Sequence, residues 1–311
     1  MVSRYVLDLC QRIERWADAS DISARSTLVT IIGDTLVPIG SSLWMSQMLQ
    51  LSSVFGFSDR LVRTSMNRLV SEDWLYTERI GRQSRYHLTE LAFAESAQAA
   101  ERIYGLGAAD WSGEWALLFL PQSLGAAERS RIVEHLRWNG FVPVSSDVLA
   151  APGTKPESAR ELVLLVDPEL RPVIATATFT ELATLVEEGF FLGESDGDQL
   201  AAAYSQFVER YEPLVKEAKD ATAVEAFGIR TMVVHDLRRI RLRWPDLPVQ
   251  ARPVGWPGDE ATAVAAALYA EVASRSAIYL SEIFDLSYPR AFPARFPITR
   301  PARPASDEKE R

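Results

Sequence analysis

The sequence predicts an α+β multidomain protein with three parts. These are an N-terminal winged helix-turn-helix, a central ferredoxin-like β-α-β-β-α-β domain and an all-helical C-terminal domain. Three observations predict it. Residues 24–90 hold helical apolar stripes separated by turn signals and end in a two-strand pattern. Residues 115–179 read strand, helix, two short strands, helix, strand. Beyond about 195, alanine-rich stretches keep a 3.6-residue period.

Composition bounds the function classes. The chain has 311 residues, room for two or three domains at roughly 100–200 residues each. With 47% hydrophobic and 24% charged residues it can bury an ordinary globular core. No apolar run approaches the roughly 18 residues of a membrane helix, so no membrane partner is expected. Arg4, Asp8, Arg12, Glu14 and Arg15 stand where a signal peptide would be apolar, and a cytoplasmic location is expected. The single cysteine, Cys10, excludes an intramolecular disulfide and a cysteine zinc site. His87, His135 and His235 are far apart in sequence, and no metal or other cofactor is expected. The net charge of −9 argues against coating nucleic acid indiscriminately, but one basic face can still dock DNA.

The elements follow in order. Tyr5, Leu9, Ile13 and Trp16 share a helical face over 3–18, within an N-terminal segment of 1–23. Leu28, Ile31, Ile32 and Thr35 predict a helix over 24–37, ended by Pro38 and Gly40. Trp44, Met48, Leu51 and Phe55 predict a second over 42–55, with Gly56 placed for a left-handed cap. Ser58 suits an N-cap and Asp59 the positive end of the next helix dipole, which runs to about Asp73. Strands over 74–80 and 85–89 flank Gly81–Ser84, and 90–104 returns to helix. The first domain therefore spans 24–104, and 105–113 is a linker. In the central domain, 112–180, strands at 115–120, 141–144, 147–151 and 172–179 alternate with helices at 126–138 and 156–166. The C-terminal domain, 195–288, holds helices over 199–219, 222–242 and 259–284, with a proline-rich loop over 243–257. The tail, 289–311, is rich in proline and arginine and is expected to be flexible.

The third helix carries a candidate reading face. Leu61, Val62, Ser65, Met66, Leu69 and Val70 gather on one side; Arg60, Arg63, Thr64 and Asn67 share the other at i, i+3, i+4 and i+7. Arginine reads guanine bidentately and asparagine reads adenine, so this face suits a major groove. Arg68 lies beside it, within reach of a phosphate. The hairpin gathers Arg79, Arg82 and Arg85 with Gln83, Ser84 and Tyr86, with no acid between 79 and 86, and so forms a basic wing. The plainer reading of both is a solvated helix face and a charged hairpin. The order helix, turn, helix, basic hairpin favours DNA.

These same residues resemble the PaaX-like family of transcriptional regulators. The resemblance rests on RSTLVTIIGD at 25–34, FSDRLVRTSMNRLV at 57–70 and GRQSRY at 81–86. It continues through EWALLF at 114–119, LRWNGF at 136–141, HDLRR at 235–239, PDLP at 245–248 and WPG at 256–258. The resemblance implies a repressor, a homodimer, that leaves its operator when an aromatic acyl-CoA, phenylacetyl-CoA in the founding member, binds. It places the DNA-reading residues on Arg60, Arg63, Thr64 and Asn67 and the wing on 79–85. A dimer implies double-stranded DNA with an inverted-repeat operator. The family pattern is departed from at 147–151, where DVLAA stands in place of an aromatic-containing strand, and in the acidic 180–198 segment. Those departures widen the effector to other acyl-CoA thioesters.

Residues 235–244 carry the densest basic run: Arg238, Arg239, Arg241 and Arg243, flanked by His235 and Trp244. Cations for phosphates beside an apolar slot would suit a CoA ester. The competing reading is arginines paired with acids at a domain interface, with the tryptophans in the core. His135 and Trp138 likewise read as packing residues. Catalysis finds no support. The central domain also resembles the small ferredoxin-like nucleases of CRISPR adaptation, but its first strand ends in Pro121 without the metal-holding aspartate. A dimerisation platform is the expected role there. No nucleophile elbow, P-loop or dinucleotide fingerprint is present, and the protein is not expected to be an enzyme. The alternative function is a protein-interaction or scaffold module whose winged helix binds a partner rather than DNA.

Overall fold

The computed structural model describes residues 8–19, 22–39, 42–105, 111–181, 185, 194–244, 248–252 and 255–285. The tail at 289–311, most of 182–193 and the start of the first expected helix lie outside these residues. The structure is mixed helix and sheet, an α+β protein with two small antiparallel sheets.

The N-terminal block begins with α1 (Leu9–Ala17) and α2 (Ala24–Thr35). A short strand β1 (Ser42–Trp44) precedes α3 (Met45–Ser53), where the sequence predicts one unbroken helix over 42–55. The cause is tertiary. Ser42, Leu43 and Trp44 pair with His87, Tyr86 and Arg85, and a sheet partner outweighs the helical stripe. Gly56 adopts φ +70°, and Ser58 accepts from the Leu61 amide to cap α4 (Asp59–Ser71). Strands β2 (Leu75–Ile80) and β3 (Gln83–Leu88) form the hairpin, in sheet order β1-β3-β2. Ile80 pairs with Gln83, so the turn is only Gly81-Arg82, with the positive φ of +62° at Gly81 that a two-residue hairpin needs. Helix α5 (Glu90–Tyr104) starts on the Thr89 side chain and ends on left-handed Gly105.

The central block is β4 (Glu114–Phe119), α6 (Ala126–Trp138), β5 (Val142–Pro143), β6 (Val148–Pro152), α7 (Pro156–Val166) and β7 (Val173–Thr178). Its sheet order is β5-β6-β4-β7, antiparallel throughout. Leu118, Leu149, Ile132, Leu136 and Val163 form its own core between the sheet and the two helices.

Three long helices follow: α8 (Glu194–Glu217), α9 (Ala223–Arg243) and α10 (Pro257–Phe284). Helix α9 is buried almost without interruption from Ala226 to Leu237, and it packs on α1, α2, α5, α8 and α10. A helix covered on all sides is a core helix. One hydrophobic core thus runs from Ile13 and Leu28 through Met66 and Phe227 to Leu280, uniting both ends of the chain.

Two polar hubs sit inside that shared core. The Asp34 carboxylate of α2 accepts from Arg230 Nε (2.6 Å), Tyr104 Oη (2.5 Å) and Tyr269 Oη (3.2 Å). Burial by itself pulls the Arg230 guanidinium down, but Asp34 more than reverses this and holds it above its ordinary value. Asp236 of α9 accepts from Trp16 of α1 (3.1 Å) and from Arg210 (2.7 Å) and Tyr211 (2.8 Å) of α8. A buried charge must be paired, so these hubs set how the N-terminal block seats on the C-terminal helices.

Candidate nucleic-acid interface and ligand clefts

Helix α4 buries Val62, Ser65, Met66 and Leu69 and turns Arg60, Arg63, Thr64, Asn67 and Arg68 to solvent. Those inward side chains, at about 1.5–3 kcal/mol per large apolar group, fix which face remains outside. Thr64 Oγ1 donates to the Arg60 carbonyl at 2.8 Å, which turns its hydroxyl back onto the helix. Arg68 lies 3.5 Å from Glu72, which also pairs with Arg25, so its charge is partly offset. Leu61 is 44% exposed and stands with the polar residues rather than on the inward side predicted. It adds an apolar contact suited to a thymine methyl.

The hairpin differs from the single basic cluster read from sequence. Successive strand residues point to opposite faces. Glu78 is directly opposite Arg85 and Arg79 opposite Ser84, so Arg79 and Arg85 lie on different faces. Arg85 lies over the Trp44 ring at 5.6 Å and has an acid across from it. Tyr86 is 5% exposed and belongs to the core. Arg79, Arg82 and Gln83 are exposed, Ser84 is half-buried, and Arg82 occupies the tip of the turn. Burial pushes the Tyr86 hydroxyl up, and the charge of nearby Arg63 on α4 opposes it.

The basic run of α9 separates into three groups. His235 is completely buried, its Nδ1 3.1 Å from Thr30 Oγ1 and its ring edge-on to Trp16. Arg241 is 7% exposed and donates to the Arg102 (3.1 Å) and Ile103 (2.9 Å) carbonyls and to Thr262 (2.5 Å). These two are withdrawn from any ligand-accessible face. Arg241 joins elements, as the interface reading expects, but through carbonyls at the end of α5 rather than through acids. Arg238, Arg239, Arg243 and Trp244 line a groove of about 610 Å³ between α6, α8 and α9, with Arg243 over the Trp244 ring at 5.3 Å. Arg137, Arg210 and Trp138 complete it. Sequence reasoning passed over Arg137 and Arg210 because they come from other elements. Trp138 is 56% exposed, not the packing residue predicted. A second cleft, about 410 Å³, lies between α2 and α5 on one side and α6 and α7 on the other. No cluster of three or more metal-ligating side chains occurs among the described residues, and no described helix is long and apolar enough to cross a membrane.

Comparison with known proteins bears on this arrangement. Two family models match the chain, PaaX-like protein over residues 23–92 and PaaX-like protein C-terminal domain over 195–282. The first contains α2 to β3, the second α9 and most of α8 and α10. The chain is 30% identical over 283 residues to the transcriptional repressor PaaX of Escherichia coli, covering 87% of each chain. It also aligns with the solved structure of an uncharacterized protein of Mycobacterium tuberculosis, at 22% identity and a TM-score of 0.45, over 81% of this chain and 97% of that one. The chain belongs to the PaaX-like family and is a transcription regulator.

Proposed function

We propose that the protein is a sequence-specific DNA-binding repressor released from its operator by an acyl-CoA-type effector. The observation that carries the reading is the solvent-facing row Arg60, Arg63, Thr64 and Asn67 on α4, flanked by a hairpin with Arg82 at its tip. On this reading residues 24–104 are a winged helix-turn-helix. Helix α4 enters the major groove, with Arg63 and Asn67 on base edges and Arg60 and Thr64 alongside them. Arg68, Arg79, Arg82, Gln83 and Ser84 serve the phosphates, and Arg85 supports the wing from Trp44. The sheet order β5-β6-β4-β7 supports a ferredoxin-like central domain, residues 112–180, as the dimerisation platform. Two copies then read an inverted repeat. The effector occupies the groove of Arg238, Arg239, Arg243 and Trp244. The similarity to a transcriptional repressor supports the direction of control.

The test is an electrophoretic shift on DNA upstream of the protein's own gene, at fixed near-physiological salt because phosphate contacts make affinity salt-dependent. A well-made bidentate base contact is worth about 1–3 kcal/mol. The Arg63→Ala/Asn67→Ala chain should therefore lose on the order of 100-fold in operator affinity while keeping its melting temperature and solution mass. Undiminished affinity in that double variant would move the reading face elsewhere. Absence of specific sites across the genome would instead favour a protein-interaction module.

A further inference from the structure

The two clefts share wall residues. Trp138, Arg238 and Leu242 line both of them, with the arginine groove on one side and the second cleft on the other. The second cleft has an apolar stretch of wall, Val29 of α2, Ala99 and Ile103 of α5, Leu162 and Leu165 of α7, and Leu242, beside polar and charged residues that include Arg25, Asp34, Glu95 and Arg102. In the groove, Arg137, Arg210, Arg239 and Arg243 come from three helices. Among the described residues that line it, the acids are Glu134 and Asp236, and Arg210 engages Asp236.

We propose that the two clefts are two halves of one effector site for an acyl thioester of a phosphorylated nucleotide carrier. The phosphates lie among Arg137, Arg239 and Arg243, and the acyl group passes Trp138 into the apolar cleft against α2 and α5. This rests on the effector reading above and adds where each part of the ligand goes and which part acts on DNA binding.

Charge and geometry support it. Arg238, at the junction, bonds to Ser26 through Nη2, while its Nε is shielded from solvent and bonds to no group among the described residues. Burial first, and then the charges of Arg239 and Arg25, pull its guanidinium down to about 10. It remains a cation at neutral pH, and an anion bound beside it would favour that charged form. Guanidinium groups are the preferred partners of phosphate oxygens. Each cleft falls within the roughly 300–1,000 Å³ of ordinary ligand sites. His135 lines the apolar cleft near Trp138, and its Nε2 is buried without a bonded partner among the described residues. Burial holds its pKa down, which leaves a neutral ring that can donate to a thioester carbonyl.

The halves differ in what they touch. Among the described residues of the N-terminal block, the groove meets only Ser26, whereas the second cleft is walled by α2 and α5 over several turns. Arg102 of α5 donates to the carbonyls of Trp138, Arg241 (2.6 Å) and Trp244 (2.9 Å). Displacing Trp138 therefore pulls on the helix that leaves the wing. A ligand shifts a conformational equilibrium only through contacts that differ between the two states, so the acyl group, not the carrier, should drive release.

The experiment titrates the full-length protein with coenzyme A alone and with acetyl-, hexanoyl-, benzoyl- and phenylacetyl-CoA. It reads binding by calorimetry and release by operator shift. Coenzyme A should bind without release, and at least one thioester should bind about tenfold more tightly or better and release the DNA. Ala99→Phe, which fills the apolar cleft, should bind coenzyme A as before, lose the acyl increment and stay on the operator. Ala99→Leu, a milder filling, should do so in part. Arg239→Glu/Arg243→Glu should lose about tenfold or more for carrier and thioester alike, with operator affinity retained as the check on folding. Normal release from Ala99→Phe, or release by coenzyme A alone, would overturn the two-part site and leave the effector reading intact. Failure of every thioester to release the wild-type chain would overturn the effector reading and this proposal together.

Discussion

The arginines of α4 and the two buried arginines of α9, Arg230 and Arg241, have opposite surroundings. Arg60, Arg63 and Arg68 are exposed along a helix whose other side is core, and Arg82 projects at the end of a two-residue turn. Arg230 and Arg241 are buried, one sharing the Asp34 carboxylate with two tyrosines, the other bonded to the last carbonyls of α5. Residue type and spacing are alike in the two regions. What separates them is desolvation. An arginine in water is available to a phosphate or a base, whereas an arginine out of water is committed to whatever neutralises it.

Several substitutions would break or sharpen this contrast. The largest effect is expected at Arg230→Ala. It leaves the Asp34 carboxylate buried without its guanidinium partner, and loss of one member of a buried pair costs about 3–5 kcal/mol. Denaturant or thermal unfolding should show this, while Arg63→Ala, at an exposed site, should change stability by less than about 0.5 kcal/mol. Equal melting temperatures for the two would erase the distinction. Next comes Gly228→Ala on α9. A methyl there would sit 2.5 Å from Ile13 Cδ1, so the Ile13 side chain or α1 itself must shift, at about 1–3 kcal/mol for overpacking. Faster amide exchange across Leu9–Ala17 is the expected signature, and unchanged protection would mean that α1 gives way without cost. The smallest effect is at the wing. Arg82→Ala should leave the melting temperature alone and reduce the slope of log affinity against log salt by about one. Arg85→Ala, which loses the Trp44 contact, should act more on stability than on that slope. Identical slopes for Arg82→Ala and the wild-type chain would remove Arg82 from the phosphate contacts.

Local features were legible from the sequence. The helices over 126–138 and 156–166 are found at those bounds, Ser58 caps α4, and Gly56 takes its left-handed conformation. Each depends on residues within about one helical turn of one another. The misreadings share a different cause. The helical stripe through Trp44 yields to pairing with β3, across more than forty residues of chain. The hairpin arginines separate because strand parity and register, not proximity in sequence, decide which face a side chain takes. Trp138 stands exposed because two clefts open beside it, formed by helices distant in sequence. The groove could have been anticipated only in part. A basic run on one helix is visible in sequence, but Arg137 and Arg210 join it through folding alone.

By itself, the sequence determined most of the elements and their order, strand β1 excepted, the polar row on α4 and the family. Periodicity, caps and turn residues act over a few positions, and motifs keep their spacing whatever surrounds them. Only the tertiary structure decided that both ends of the chain share one core, that Arg230 and Arg241 are structural, and that the remaining α9 arginines face a groove. Burial of a charge depends on groups brought together from positions as far apart as Asp34 and Arg230, and no local pattern carries that free energy.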